Sequence, residues 1–351
     1  MTYDPVDYDD DLLNYNTYHY GKAGHSTLTT ELTETFQGTT KIALEHFDEV
    51  EEAYDVLYHS WKTYVGPLEP LPWEEVIMSK EPNTSLGYPL AYDYGTMEEL
   101  LEDITMEELS EIFQSYEDTL LEGFLPPATW RPFPKMDKYS GKKVMSSKFR
   151  LVSVGNVFFL ALCKRWFSQV VTALEEAVDQ FYINTGPEIF NRKFVMWMLN
   201  AYSWGVDYTA FDKNSTAMFT LLGFKLLHRL LCQSTPKFIY EYIALNIAQP
   251  LSIIVSPDRT LQCYLLCSSN PSGQFFTSYT NSCTHLVHNL LFSMINLGES
   301  GYDYIADRGQ LRSIMTGDDG VDLAESEAKA VKISSEMCQF VEEFFNIPAK
   351  L

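Results

Sequence analysis

No stretch of 18 or more consecutive apolar residues occurs in the sequence, so nothing in it reads as a membrane-spanning helix. The opening, MTYDPVDYDDDLLNY, lacks the basic and then apolar character of a signal peptide. Cysteine is sparse. Six in 351 residues (Cys163, Cys232, Cys263, Cys267, Cys283, Cys338) cannot form the framework of a disulfide scaffold, and reduced thiols in a cytosolic compartment are expected. Only Cys263, Cys267, Cys283, His285 and His288 suggest a zinc set, but the first two lie in an apolar, strand-like run that favours buried thiols. Internal repeats and low-complexity tracts are absent.

Basic residues are also few, 25 against 48 acidic for a net charge of −23, and a uniform charge of that sign would repel nucleic acid. It is not uniform. Residues 1–122 hold 28 of the acids and only four bases, Lys22, Lys41, Lys62 and Lys80; the remainder carries 21 bases and 20 acids. Within that remainder, Arg131 to Arg165 contains nine bases and one acid, Asp137, which makes a localised cationic strip.

What is present reads as a globular chain too long for one core, dividing into two or three subdomains. Residues 1 to about 30 form a Tyr- and Asp-rich arm without periodicity. Apolar spacing predicts helices over 40–65, over 96–122 and over the stretch FFLALCKRWFSQVVTALEEAVDQF. The Pro-rich LPPATWRPFPK separates the acidic region from the basic strip, and from Trp204 onward the pattern runs strand, helix, hairpin, helix, hairpin, helix.

Three stretches carry chemistry. In SIMTGDDGVDL, Asp318 and Asp319 follow a glycine between two β-prone segments, where two adjacent charges repel unless a cation sits against them. An acidic surface turn satisfies that stretch equally well, so a third carboxylate is needed. WGVDYTAFDKN supplies one: Trp204 to Tyr208 reads as a buried strand with Asp207 near its end, where a buried carboxylate wants a metal or a base, and Asp212 follows five residues on. In SSNPSGQFFTSYTNSCTHLVHNLL, a Pro-Ser-Gly loop leads into a helix on which Thr277 and Asn281, four apart, share one face beside Ser282.

In this order and combination the motifs resemble the catalytic core of viral RNA-dependent RNA polymerases, specifically the picornavirus-like positive-strand group, over about residues 84–350. Asp207 with Asp212 matches the first palm motif, D-x4-D; Ser272, Gly273, Thr277, Asn281 and Ser282 match S-G-x3-T-x3-N-S; Gly317, Asp318 and Asp319 match the GDD hairpin. Upstream, TSLGYP, with Thr84, Ser85, Gly87, Tyr88 and Pro89, looks like the loop by which template enters the fingers. Lys135, Lys143, Lys148 and Arg150 fall at the spacing of the family's K-x7-K-x4-K-x-R motif, and Lys350 matches the lysine that follows the hairpin and its helix. Thr316 stands where close relatives carry Tyr.

The resemblance implies an α+β right-hand polymerase: a palm of antiparallel sheet with helices, plus fingers, with the thumb truncated. Residues 1–80 would be the acidic arm and outer fingers, 81–200 the fingers with template and NTP motifs, and 201–351 the palm with an inserted fingers segment at about 235–270. Asp207, Asp318 and Asp319 would hold two Mg²⁺ ions, for which Mn²⁺ can substitute, with Asp319 an outer ligand. Asp212 and Asn281 would read the ribose 2′-hydroxyl with Thr277 and Ser282 in support, and Ser272 and Gly273 would form a mobile loop. The basic strip would clamp the triphosphate, with Arg150 its forked contact, and Lys350 would protonate the departing pyrophosphate. RNA template and product, NTPs and a small viral protein primer are the implied partners, in the host cytoplasm at membrane-associated replication complexes, and the isolated chain is expected to be weakly active or inactive. A catalytically silent RNA-binding scaffold and a reverse transcriptase are the alternatives. A reverse transcriptase usually has an aromatic residue at the position of Asp212.

Overall fold

The computed structural model describes residues 18–20, 46–66, 68–135, 138–140, 151–177, 202–209, 211–214, 217–231, 235–255, 261–266, 270–272, 276–301, 313–317, 319–324, 326–345 and 347–350. A short strand, β1 (Tyr18–Tyr20), precedes the helices α1 (Phe47–Trp61), α2 (Trp73–Met78), α3 (Met97–Asp103) and α4 (Met106–Leu121). Where spacing predicts one helix over 96–122 there are two. Ile104 leaves the helical conformation and Thr105 starts α4 with a capping box, accepting from the Glu108 backbone N–H while the Glu108 carboxylate takes the Thr105 backbone N–H. That reciprocal pair satisfies two donors that a new helix start would otherwise leave open.

The next elements are β2 (Thr129–Pro134), β3 (Lys138–Ser140), β4 (Leu151–Gly155) and α5 (Val157–Ala177). Strand β1 pairs antiparallel with β3, which ties part of the acidic arm to the basic strip. Helix α5 is the one described helix long and apolar enough to cross a membrane by composition, yet 56% of its apolar window is buried in the core, and Lys164 and Arg165 interrupt it. Arg165 is internal: its Nε lies 3.1 Å from Glu117 Oε2, its guanidinium stacks 4.5 Å over Trp73, and it donates to the Leu71 carbonyl. Trp166 Nε1 donates to the other Glu117 oxygen at 2.6 Å. Burial pushes the Glu117 carboxyl up and the Arg165 charge opposes it. The last bases of the cationic strip therefore hold helices together, since Lys164 likewise donates to the Ser79 carbonyl.

The carboxy-terminal half contains β5 (Tyr202–Trp204), β6 (Asp207–Tyr208), α6 (Phe211–Asn214), α7 (Ala217–Leu230), α8 (Lys237–Ala248), β7 (Leu251–Val255), β8 (Leu261–Leu265), α9 (Thr277–Asn296), β9 (Ser313–Thr316), β10 (Asp319–Ala324), α10 (Glu327–Phe345) and β11 (Ala349–Lys350). Of the four sheets among the described residues, the two larger divide the labour. The order β4-β2-β7-β8, with β2 and β7 parallel, brings the β7–β8 hairpin beside the basic strands, whereas β5-β10-β9 is antiparallel and lies against α9 and α10. In α10, Ala330, Ser334, Met337, Val341 and Phe345 recur at helical spacing and form the buried stripe. Helix α1 docks on α7: the Tyr54 hydroxyl donates to the Phe219 carbonyl at 3.0 Å, Lys225 pairs with Glu51 at 2.6 Å, and Arg229 stacks 4.0 Å over Tyr58. One continuous apolar cluster runs from Val50 to Ile347 and includes Trp130 of β2 and Met315 of β9, while Ile254 of β7 and Leu266, just past β8, form a small cluster of their own.

Candidate active site

The strand expected over 204–208 is broken at Gly205 and Val206 into β5 and β6. Strand β10 pairs with β5, Asp322 opposite Trp204, so β5 ends beside the stem of the hairpin strand that Asp319 opens. The approach is close there: a Cβ on Gly205 would lie 2.7 Å from the Gly320 carbonyl oxygen. Only a glycine lets the two backbones meet at this point. Asp207 differs from expectation in one respect, since its side chain is 62% exposed. Solvent, rather than a low-dielectric interior, faces this carboxylate, so burial creates no need for a cation here.

The cation it has is an internal one. Strand β11 pairs with β6, with Lys350 opposite Asp207, and Lys350 Nζ lies 3.0 Å from Asp207 Oδ2; the Thr209 N–H donates to the Pro348 carbonyl at 2.8 Å and extends the ladder. Asp319 opens β10 opposite Thr316 and is exposed, and Gly317 turns the hairpin at φ +69°. Asp318 lies outside the described residues, as do Gly273, Lys143, Lys148 and Arg150. Asp212 sits in the short helix α6, directly after β6; its side chain is not described.

Helix α9 brings its own polar row to the strands. Asn281, Ser282, His285, His288 and Asn289 are all buried and recur at helical spacing. Asn281 Oδ1 accepts from Asn270 Nδ2 at 2.5 Å, and the same amide reaches Thr280 Oγ1 at 2.6 Å. Asn270, 1% exposed, is a residue that sequence reasoning missed; the only signal was an amide just before the Pro-Ser-Gly loop. Thr277 Oγ1 donates to the Pro271 carbonyl at 2.8 Å, fixing the loop to the helix rather than facing open space. Ser272 Oγ donates to the Leu151 carbonyl at 3.1 Å and its carbonyl accepts the Ser153 N–H at 2.8 Å, which seats the loop on β4, within the basic strip. Ser282 Oγ accepts the Gly317 N–H at 2.7 Å.

At the fingers, Gly87 has φ +69°, and a Cβ there would run into the Gly155 carbonyl, so conformation and space both demand glycine. The Val157 N–H donates to the Leu86 carbonyl and Thr129 Oγ1 to the Tyr88 carbonyl at 3.0 Å, which anchors the loop while Thr84, Ser85 and Pro89 stay exposed. Lys80 Nζ donates to Thr84 Oγ1 at 2.8 Å. Lys135 follows directly on β2.

Among the described residues no group of three metal-ligating side chains converges. The zinc set does not assemble there: Cys263 is exposed on β8, while Cys283 is buried in α9 with its thiol pushed up to about 12 by burial, and Cys267 lies outside the described residues. His288 is held neutral, its pKa driven well down by burial and by His285. By donor chemistry divalent metal suits the carboxylates better than these nitrogens, because Asp207 and Asp319 offer hard, exposed oxygens, of which Asp207 is paired with the Lys350 ammonium.

The model of the family described as viral RNA-dependent RNA polymerase matches residues 4–344. The chain belongs to that family. Among solved structures, the Sicinivirus 3Dpol RNA-dependent RNA polymerase superposes with a TM-score of 0.68 at 19% identity, covering 94% of this chain and 67% of that one. Identity this low speaks to fold alone, and the fold is the right-handed α+β one. No curated protein sequence matches. As an RNA-dependent RNA polymerase the chain is a nucleotidyltransferase with RNA and nucleoside triphosphates as substrates, in a family that works with divalent metal.

Proposed function

We propose that this polymerase joins NTPs to an RNA 3′-hydroxyl with two Mg²⁺ ions held by Asp207 and Asp318, and with Asp319 as an outer ligand. The single observation that supports this reading is the close approach of the chain just before Asp207 to the chain just after Asp319, where a Cβ on Gly205 would lie 2.7 Å from the Gly320 carbonyl oxygen. When bound, the two ions lower the pKa of the attacking hydroxyl and neutralise charge on the triphosphate and the leaving oxygen. Every other task falls to side chains. Asp212 and Asn281 read the ribose 2′-hydroxyl, with Asn270 fixing the Asn281 amide. Lys135, Lys143, Lys148 and Arg150 hold the triphosphate, and Ser272 and Gly273 let the loop adjust to the base pair. Lys350, released from Asp207, gives its proton to pyrophosphate. Thr84, Ser85, Gly87, Tyr88 and Pro89 guide the template.

By the same resemblance, a small viral protein bearing a tyrosine primes synthesis, and the work is done at membrane-associated complexes in the host cytoplasm. The test is primer extension on an RNA template with Mg²⁺ or Mn²⁺, comparing this chain with Asp207→Asn and Asp318→Ala. Incorporation abolished by both substitutions is expected. Incorporation that survives either one removes the two-metal reading, and RNA binding without any incorporation under all conditions favours the silent scaffold.

A further inference from the structure

Resemblance groups Ser282 with the ribose-reading residues, but its side chain is engaged elsewhere. The Ser282 hydroxyl, fully buried, accepts the backbone N–H of Gly317, the turn residue immediately before the two hairpin aspartates. Seven residues on, two turns along the same face of α9, Asn289 Nδ2 donates to Asp322 Oδ2 at 2.6 Å. Asp322 lies three residues past Asp319 on β10 and is only 2% exposed. The helix that carries Asn281 therefore grips the hairpin at two points, its turn and its stem. Between the two grips the fit leaves no slack: a Cβ on Gly320 would meet His285 Cε1 on α9.

We infer that Ser282 and Asn289 are positioning residues for the metal-bearing hairpin, setting the height of its carboxylates against the ribose-reading helix, and that Ser282 takes no part in sugar selection. The inference rests on the two-metal reading above. The physical ground is that a buried amide N–H deprived of its acceptor is costly, so the turn holds its place only while the hydroxyl is there. Without it the turn shifts to find another partner, and carboxylates that were pre-set for cations must be re-gathered by them.

The experiment measures two equilibria on the full chain, neither of which needs turnover. Mn²⁺ binding is followed by electron paramagnetic resonance, and a ribonucleoside triphosphate with a non-hydrolysable β–γ bridge is titrated against its deoxy counterpart. Ser282→Ala is expected to weaken Mn²⁺ binding by about tenfold, the loss corresponding to one buried unsatisfied N–H, with the ribo-to-deoxy binding ratio unchanged. Asn281→Ala should do the reverse, collapsing the ratio and sparing Mn²⁺. Ser282→Cys, which keeps the volume and weakens the acceptor, should give the alanine signature in smaller measure and replaces it if the alanine chain does not fold. A Ser282 variant that changes the ribo-to-deoxy ratio while Mn²⁺ binds as in the parent overturns the inference. If Asp207→Asn also leaves Mn²⁺ binding intact, the two-metal reading itself has failed, and the inference falls with it.

Discussion

Replacing Lys350 by methionine removes the ammonium from Asp207 and keeps the length of the side chain. The pair lies at 3.0 Å, but its members are 69% and 62% exposed, so water screens the attraction and ion pairs of this kind contribute about 0.2–1 kcal/mol. The β6–β11 ladder is held by backbone and is indifferent to the change. Thermal stability should therefore fall by less than about 1 kcal/mol, a few degrees at most for a chain of this size. Metal binding should move the other way. A cation arriving at Asp207 no longer has to displace the ammonium, and recovering up to about 1 kcal/mol raises Mn²⁺ affinity by up to about fivefold. If Lys350 also supplies the proton to pyrophosphate, incorporation slows although metal binds better. Calorimetric titration of Mn²⁺ beside single-nucleotide incorporation separates the two effects. Unchanged or weakened Mn²⁺ binding would refute competition between lysine and metal, and a gain far beyond tenfold would show that the pair is not the screened surface contact described.

Two further outcomes follow from the packing behind the hairpin. Gly320→Ala places a Cβ against His285 Cε1 and 2.5 Å from Met315 Sδ, both on buried side chains, so the chain should lose about 1–3 kcal/mol in denaturant unfolding, and an unchanged midpoint would mean that this seat yields easily. His288 has neither ring nitrogen hydrogen-bonded and stacks on Phe345 at 4.2 Å. Its folded pKa lies below the unfolded value of about 6.5, so below that pH the unfolded chain binds the proton and the folded chain resists it, and stability is lost on acidification. His288→Leu should stay within about 1 kcal/mol of the parent at pH 8 and flatten the decline between pH 7 and 5; a slope as steep as the parent's would assign the acid sensitivity to another group.

Much of the architecture was legible because it is local. The long helices α5 and α10 follow from apolar spacing, and the GDD turn from a glycine that adopts positive φ. Local rules also failed in identifiable places. The Thr105 capping box, T-x-x-E, could have been read and would have divided 96–122 correctly. The polar row Asn281, His285, Asn289, at intervals of four, was readable as a stripe but not as a grip, because its partner Asp322 comes from a strand 33 residues away.

Alone, the order and spacing of Asp207, Asp212, Ser272 to Ser282 and Gly317 to Asp319 determined the family and the type of reaction, since phosphoryl transfer needs hard oxygen ligands whatever the surrounding fold. The tertiary structure alone decided what each side chain touches. That Asp207 is exposed and countered by Lys350, that Asn270 steadies Asn281, and that Ser282 serves the turn are matters of strand register and helix docking. Such contacts join residues up to 143 positions apart, and spacing along the chain carries no information about them until the backbone has folded.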